Sequence, residues 1–145
     1  MSLKVRLAGK RKPEGWAMIE PTLVEFEERL REAVNDPHEG KRKCEANWPI
    51  HRIHYERNRY IYDLYYRQEK LSRQLYEFLV REKVVDGALI SKWRKPGYER
   101  LCCLKCISTR DTNFGTVRFI NIFLTIFGRD LEYFDSVQGH AFIFS

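Results

Sequence analysis

No stretch of the 145 residues is apolar for the roughly 18 or more positions that a membrane-spanning helix needs; the longest apolar tract, residues 117–127, is interrupted by Arg118 and Asn121. Behind the basic start Lys4-Val5-Arg6 there is no apolar segment of signal-peptide length, so secretion is not expected and the chain reads as intracellular. Cysteine is scarce too: there are four, three of them within Cys102-Cys103-Leu104-Lys105-Cys106. Where thiols are kept reduced, such a cluster reads as metal-binding or redox groups rather than as disulfides. No repeat, low-complexity block, glycine-rich phosphate loop, nucleophile elbow or Ser/His/Asp grouping occurs, which leaves an enzyme without a basis.

What is present is a soluble composition able to bury one core: 43% apolar, 32% charged and 14% aromatic residues. The net charge of +6 is unevenly spread. Residues 1–12 carry +5, residues 13–40 carry −6, residues 41–106 carry +8 and residues 107–145 carry −1. A basic arm, an acidic helix and a long basic segment suit a polyanion, RNA or DNA, on one side and a basic protein on the other.

Residues 1–15 alternate bases with small residues and show no apolar period, so they read as an arm that orders only on binding and adds nothing to the core. Thr22-Leu23-Val24-Glu25 has capping-box spacing, which starts a helix near Pro21. Leu23, Phe26, Leu30, Ala33 and Val34 give it one buried face, and Asn35-Asp36-Pro37 ends it. Asn47-Trp48-Pro49 caps a second helix. Its stripe Ile50, Ile53, Tyr60, Ile61, Leu64 continues through Leu71, Leu75, Phe78 and Leu79, with room for a break at Ser72. Asp86 caps a short helix through Leu89, Ile90 and Trp93 that Lys95-Pro96-Gly97 stops. Residues 117–127 are β-branched and aromatic and have strand character.

Cys103-Leu104-Lys105-Cys106 is a Cys-x-x-Cys turn of the kind that brings two thiolates to one zinc, with Cys102 adjoining it. Structural zinc takes four ligands; a site from Cys102 or Cys103, Cys106 and a histidine such as His140 competes with plain reduced thiols on a loop. Redox use of the motif expects a strand before it and a helix after, whereas helices and Pro96-Gly97 precede it here. His51 and His54, three apart, lack a nearby carboxylate or cysteine to complete a metal set. The stretch holding Arg52, Arg57, Arg59, Tyr60 and Tyr62 interleaves bases and aromatics, which serves either nucleic-acid contact or a solvated basic face opposite an aromatic stripe. Lys10-Arg11-Lys12 and Lys41-Arg42-Lys43 suit nucleic-acid contact and nuclear import alike.

The runs Gly15-Trp16, Ile19-Glu20-Pro21-Thr22-Leu23, Asp36-Pro37-His38-Glu39-Gly40-Lys41-Arg42-Lys43, Trp48-Pro49-Ile50, Arg59-Tyr60-Ile61-Tyr62-Asp63-Leu64, Leu101-Cys102-Cys103-Leu104-Lys105-Cys106-Ile107 and Arg110-Asp111-Thr112-Asn113-Phe114-Gly115-Thr116 closely resemble the bud-site-selection / maternal G-ten family of nuclear splicing factors. Cys44-Glu45-Ala46 and Lys95-Pro96-Gly97-Tyr98-Glu99-Arg100 look like its plant branch. The resemblance implies a nuclear, non-catalytic scaffold of the spliceosome beside U6 small nuclear RNA and splicing proteins, with no membrane and no small-molecule substrate. It also implies a C-terminal zinc cluster whose first ligands correspond to Cys102, Cys103 and Cys106. No cysteine follows Cys106, so by ligand count the zinc site is incomplete and the metal absent or substoichiometric.

The expected architecture is mainly α. A basic arm (1–15) and a helical domain (16–100) are followed by a partial Cys-rich zinc segment (101–116) and a divergent, irregular or β-prone tail (117–145). The alternative function is a non-functional or regulatory paralogue that binds partner proteins through its helices without a formed zinc module.

Overall fold

The computed structural model describes residues 2–42 and 45–107. It contains five α-helices in that span: α1 (Leu3–Arg6), α2 (Trp16–Asn35), α3 (Trp48–Tyr62), α4 (Arg73–Arg81) and α5 (Gly87–Trp93). Short 3₁₀ turns precede α3 at Glu45–Asn47 and close the described chain at Leu104–Ile107. No strand occurs among the described residues, so the mainly α expectation holds there. The β-prone tail, Lys43 and Cys44 lie outside them, as does His140.

The long helix α3 is the axis. On one side it packs against α2, where Phe26 meets Tyr60 at 6.1 Å between ring centroids and Tyr60 donates to the Thr22 hydroxyl at 3.5 Å. On another it packs against α5, whose Trp93 stands edge-on to Tyr55 at 5.4 Å and to Tyr62 at 5.5 Å. One apolar cluster links Leu3 and Leu7 to Trp16, Ile19 and Leu23, to Leu75, Phe78 and Leu79, and to Leu89, Ile90, Trp93, Leu101 and Cys102.

Three expectations are corrected. Residues 1–15 are not a bare tether. Leu3–Arg6 forms a helical turn, Leu7 is 1% exposed in the core, and the Leu3 N–H donates to Glu27 Oε1 at 2.6 Å. The apolar period was too short to read from two leucines, yet each buries enough surface, roughly 1.5–3 kcal/mol, to hold a short segment in place.

The second correction moves the start of α2 to Trp16, six residues before Thr22. Gly15 enters it with φ 86°, a conformation glycine adopts without strain. Pro21 then sits inside the helix, where the missing N–H costs about 3 kcal/mol. Trp16 and Ile19 are both buried, and at roughly 1.5–3 kcal/mol each they offset that cost. Ala17, whose carbonyl Pro21 leaves without a helical donor, is exposed to water. Thr22, freed from capping, meets Tyr60 instead.

Third, the apolar stripe breaks at Ser72 as expected, but the chain leaves regular α-helix earlier, directly after α3. Asp63–Arg67 widens into a π-turn, closed by the Gln68 N–H to Asp63 O bond at 2.9 Å, and the chain restarts at Ser72, whose hydroxyl caps α4 through the Leu75 N–H. The wide turn places Tyr65 and Tyr66 together against Tyr76 of α4. The break at Ser72, the stop after Asn35 and the Asp86 cap of α5 all agree with the sequence; Asp86 accepts from the Ala88 and Leu89 N–H groups.

Candidate nucleic-acid interface

The α-helix turns about 100° per residue, so Arg57 and Arg59, two apart on α3, point to opposite sides. Arg59 faces α5 and is 2% exposed. Its guanidinium lies 4.8 Å from the Tyr62 ring centre and 5.1 Å from that of Trp93, donates to the Glu99 carbonyl at 3.2 Å and stands 3.9 Å from Asp63 Oδ1. Trp93 Nε1 donates to the Leu101 carbonyl at 2.8 Å, so Arg59 and Trp93 together hold the loop after α5 against α3. Sealed from water in this way, Arg59 cannot reach a phosphate. Its assignment as a nucleic-acid contact is withdrawn, and it becomes part of the framework.

Arg57, by contrast, remains partly exposed. Its Nη2 lies 3.3 Å from His54 Nδ1, and its Nε is buried without a hydrogen-bond partner. Burial lowers its pKa, and the charge of nearby Arg6 lowers it further, while Glu27 opposes both. His54 is held neutral by the same surroundings: burial depresses its pKa first and the Arg57 charge second. Its second ring nitrogen faces the Asn58 amide at 3.2 Å. Asn58 is fixed in orientation, donating to the His54 carbonyl at 2.8 Å and accepting the Asp86 N–H at 2.6 Å.

Most other expected contacts are already engaged. Arg52 Nε reaches Glu56 at 3.0 Å, and Arg29 of α2 takes the same carboxylate at 2.7 Å, bridging the two helices. Lys10 pairs with Glu82, Lys12 with Glu20 at 3.4 Å, and Lys41 with Asp36. The partners respond: hydrogen bonds from Lys10 and Lys41 are the main cause of the lowered pKa of Glu82 and Asp36. The lysines of these pairs are solvent-accessible and the attraction is screened by water, so a phosphate can take the place of a carboxylate. Arg11 and Arg42 are exposed. Lys43 lies outside the described residues. The expected contacts therefore do not form one patch but occupy the arm, the loop after α2 and two sides of α3.

Two features escaped the sequence reading. Leu3 and Leu7 bury α1 in the core, so the basic start of the chain is fixed in place. Tyr65 and Tyr76 stack in parallel at 4.3 Å, with Arg94 lying 4.8 Å from the ring centre of Tyr66 beside them. Burial and then Tyr66 raise the pKa of Tyr76 well above the tyrosine norm. The density of tyrosines from Tyr60 to Tyr66 was the available signal for this cluster.

The thiols do not assemble a metal site among the described residues. Cys102 is 4% exposed and belongs to the apolar core, where it acts on Tyr55, whose hydroxyl burial pushes up to about 12. Cys103 is half-buried and acts on His54, but both ring nitrogens of that imidazole already face Arg57 and Asn58. Of Cys106 only the backbone is described, in the terminal 3₁₀ turn. Among the described side chains, Cys102, Cys103 and the committed His54 do not supply the four ligands of a structural zinc.

The family described as Pre-mRNA-splicing factor BUD31 matches residues 2–121. The chain is 59% identical over 116 residues to Protein BUD31 homolog of Caenorhabditis elegans, covering 80% of this chain and 79% of that protein. It is 59% identical over 113 residues to Protein BUD31 homolog 2 of Oryza sativa subsp. japonica, 78% of each, so identity does not separate a plant from an animal relative. With Pre-mRNA-splicing factor cwf14 of Schizosaccharomyces pombe it shares 50% identity over 107 residues, 74% of this chain and 73% of that one.

Proposed function

This chain belongs to the family of the pre-mRNA-splicing factor BUD31, and on that premise we propose that it acts in pre-mRNA splicing in the nucleus, as a non-catalytic scaffold of the spliceosome beside U6 small nuclear RNA. The observation that carries this reading is the match along residues 2–121, which takes in every described helix and the cysteine segment. Relatives that share the match are named as pre-mRNA-splicing factors. The basic arm, the 41–43 run and the partly exposed cations of α3 supply the RNA-facing charge through Lys10, Arg11, Lys12, Lys41, Arg42, Lys43, Arg52 and Arg57. Splicing proteins dock on the helices. The test is recovery of the tagged protein from nuclei: enrichment of U6 over an unrelated basic protein supports the reading, and no enrichment of any small nuclear RNA counts against it.

We also propose that the zinc cluster implied by the family resemblance is incomplete in this chain, a reading supported by the lack of cysteine in residues 107–145. That observation favours a second reading, a regulatory or non-functional paralogue that keeps its helical contacts and lacks the zinc module. Metal analysis of the purified protein separates the two: less than stoichiometric zinc fits the truncated cluster, and two or more zinc ions per chain refute it. Sequencing the transcript across the codon for Thr116 decides whether residues 117–145 are a genuine tail.

A further inference from the structure

Three tyrosines, Tyr65, Tyr66 and Tyr76, gather where the π-turn meets α4, and each is only half-buried. On a regular α-helix consecutive side chains diverge by about 100°. The wider turn at Asp63–Arg67 instead brings the Tyr65 and Tyr66 rings edge to face at 4.7 Å, and both meet Tyr76. Turns of this kind are frequent at functional sites. Tyr55, by contrast, is a true core ring at 2% exposed.

Tyr65 and Tyr76 lie parallel, 2° apart in plane, with their centroids 4.3 Å apart. Each spends one face on the other, and among the described residues no third ring lies parallel to the pair. A pile of two rings that keeps part of its surface in solvent can be extended by another flat group.

The charge beside these rings is positive. Arg94 is exposed, its guanidinium lies 4.8 Å from the Tyr66 ring centre, and no carboxylate pairs with it among the described residues. Arg73 stands three residues before Tyr76 on α4 and so shares its side of the helix. Its side chain is 83% exposed and that of its partner Glu77, 2.8 Å away, is 60% exposed, so water screens the pair and an incoming anion can compete for the cation. Asp63 already faces Arg59 and Arg67, and Glu69 and Lys70 on the linking turn cancel in charge. Stacked rings flanked by cations suit single-stranded nucleic acid, whose bases stack on the rings while its phosphates meet the guanidinium groups. An acidic protein segment would use the cations and waste the flat faces; an apolar one would leave Arg94 without an anion.

We propose that the Tyr65–Tyr76 pair is a base-stacking platform for single-stranded RNA, on which one base continues the stack while neighbouring phosphates lie on Arg94 and Arg73. The platform rests on the RNA-associated reading above and adds to it a contact made with bases, where the basic arm offers charge alone.

The test uses the full chain and two ten-nucleotide probes, a mixed-sequence single-stranded RNA and an abasic strand with the same ribose-phosphate backbone. The wild type should bind the first at least about fivefold more tightly than the second. Tyr65→Leu and Tyr76→Leu should bring that ratio close to one, whereas Tyr76→Phe, which keeps the ring, should preserve it. Arg94→Gln, on an exposed residue, should weaken both probes and lower the salt slope by about 0.7, the loss of one phosphate contact. Arg31→Ala, which removes an exposed cation of α2, should leave the ratio unchanged. A readout without variants is the wild-type tyrosine ring resonances: those of Tyr65 and Tyr76 should shift with RNA and stay in place with a glutamate-rich peptide. Equal binding of the two probes by the wild type, or ring signals that saturating RNA leaves in place, overturns the platform. Ring signals moved as far by the peptide overturn it as an RNA site, and signals that move with protein concentration alone assign the rings to a contact between copies. Recovery of U6 from nuclei is scored separately. If U6 is enriched while the probes bind equally, the platform falls and the scaffold stands; if no small nuclear RNA is enriched while the ratio holds, the scaffold falls and the platform stands.

Discussion

On the side of α3 that faces α5, a buried cation is enclosed: Arg59 has two aromatic rings, the Glu99 carbonyl and Asp63 around it. On the other side, Arg57 is half-buried with its fork against the His54 imidazole at 3.3 Å. Two arginines two residues apart thus do opposite things. One is spent on joining helices and a loop, and its value is stability. The other keeps part of its surface in solvent beside a neutral imidazole. A charge count treats them as equal; the chemistry of their surroundings separates them.

The sharpest way to break this comparison is Arg59→Met. Removing the cation leaves Asp63 in a buried site with its remaining partner Arg67 3.5 Å away, and the change should cost about 3–5 kcal/mol, read from urea unfolding. A loss under about 1 kcal/mol would mean that Arg59 is no framework residue, and the contrast with Arg57 would collapse.

Leu7→Ala comes next, with an expected loss of about 2–5 kcal/mol from a nearly sealed core position. It bears on α1, which keeps its place only if the arm is packed. A chain as stable as wild type would return residues 1–15 to the status of a tether. Lys83→Gly runs the other way. Lys83 sits just past α4 with φ 54°, between the Lys83 N–H to Val80 bond at 3.1 Å and the Val84 N–H to Leu79 bond at 3.0 Å that close the helix. Glycine adopts that conformation without the roughly 1–2 kcal/mol strain of an L side chain, so melting should move upward by the corresponding few degrees.

The smallest effect concerns His54 and is read against pH. Its folded pKa is depressed by burial and by Arg57, so below the ordinary value of about 6.5 the unfolded chain binds a proton that the folded chain refuses. The associated stability is complete above that value and declines as pH falls toward the folded pKa. Unfolding measured from neutral to mildly acidic pH should show this decline in the wild type, and His54→Gln should flatten it. An equal slope in both would place the titrating group elsewhere.

The helices were legible where a local signal decided them. Asn35-Asp36-Pro37, Asp86 and Ser72 set boundaries by their own side chains or rings, and the structure keeps them. The start of α2 was misread because Thr22 and Glu25 offered a capping box while Trp16 and Ile19, buried by partners far along the chain, outweighed it. The π-turn after Tyr62 leaves the apolar period nearly intact and so left no mark in it. At the candidate interface, helical geometry alone could have parted Arg57 from Arg59, whereas the burial of Leu3 and Leu7 depends on tertiary contacts that no spacing records. The cysteines were recognised as a group, but the burial of Cys102 follows from the loop that Arg59 and Trp93 pin down.

The packed arm also changes what protease digestion would report. Lys10-Arg11-Lys12 is an inviting target for a trypsin-like enzyme, yet Leu7 is locked in the core just before it, Lys10 is tied to Glu82 of the α4 end and Lys12 lies over the Trp16 ring. Cutting there requires the segment to lift from two helices at once, so the rate of cleavage measures how often the domain opens rather than how fast a loose end is trimmed.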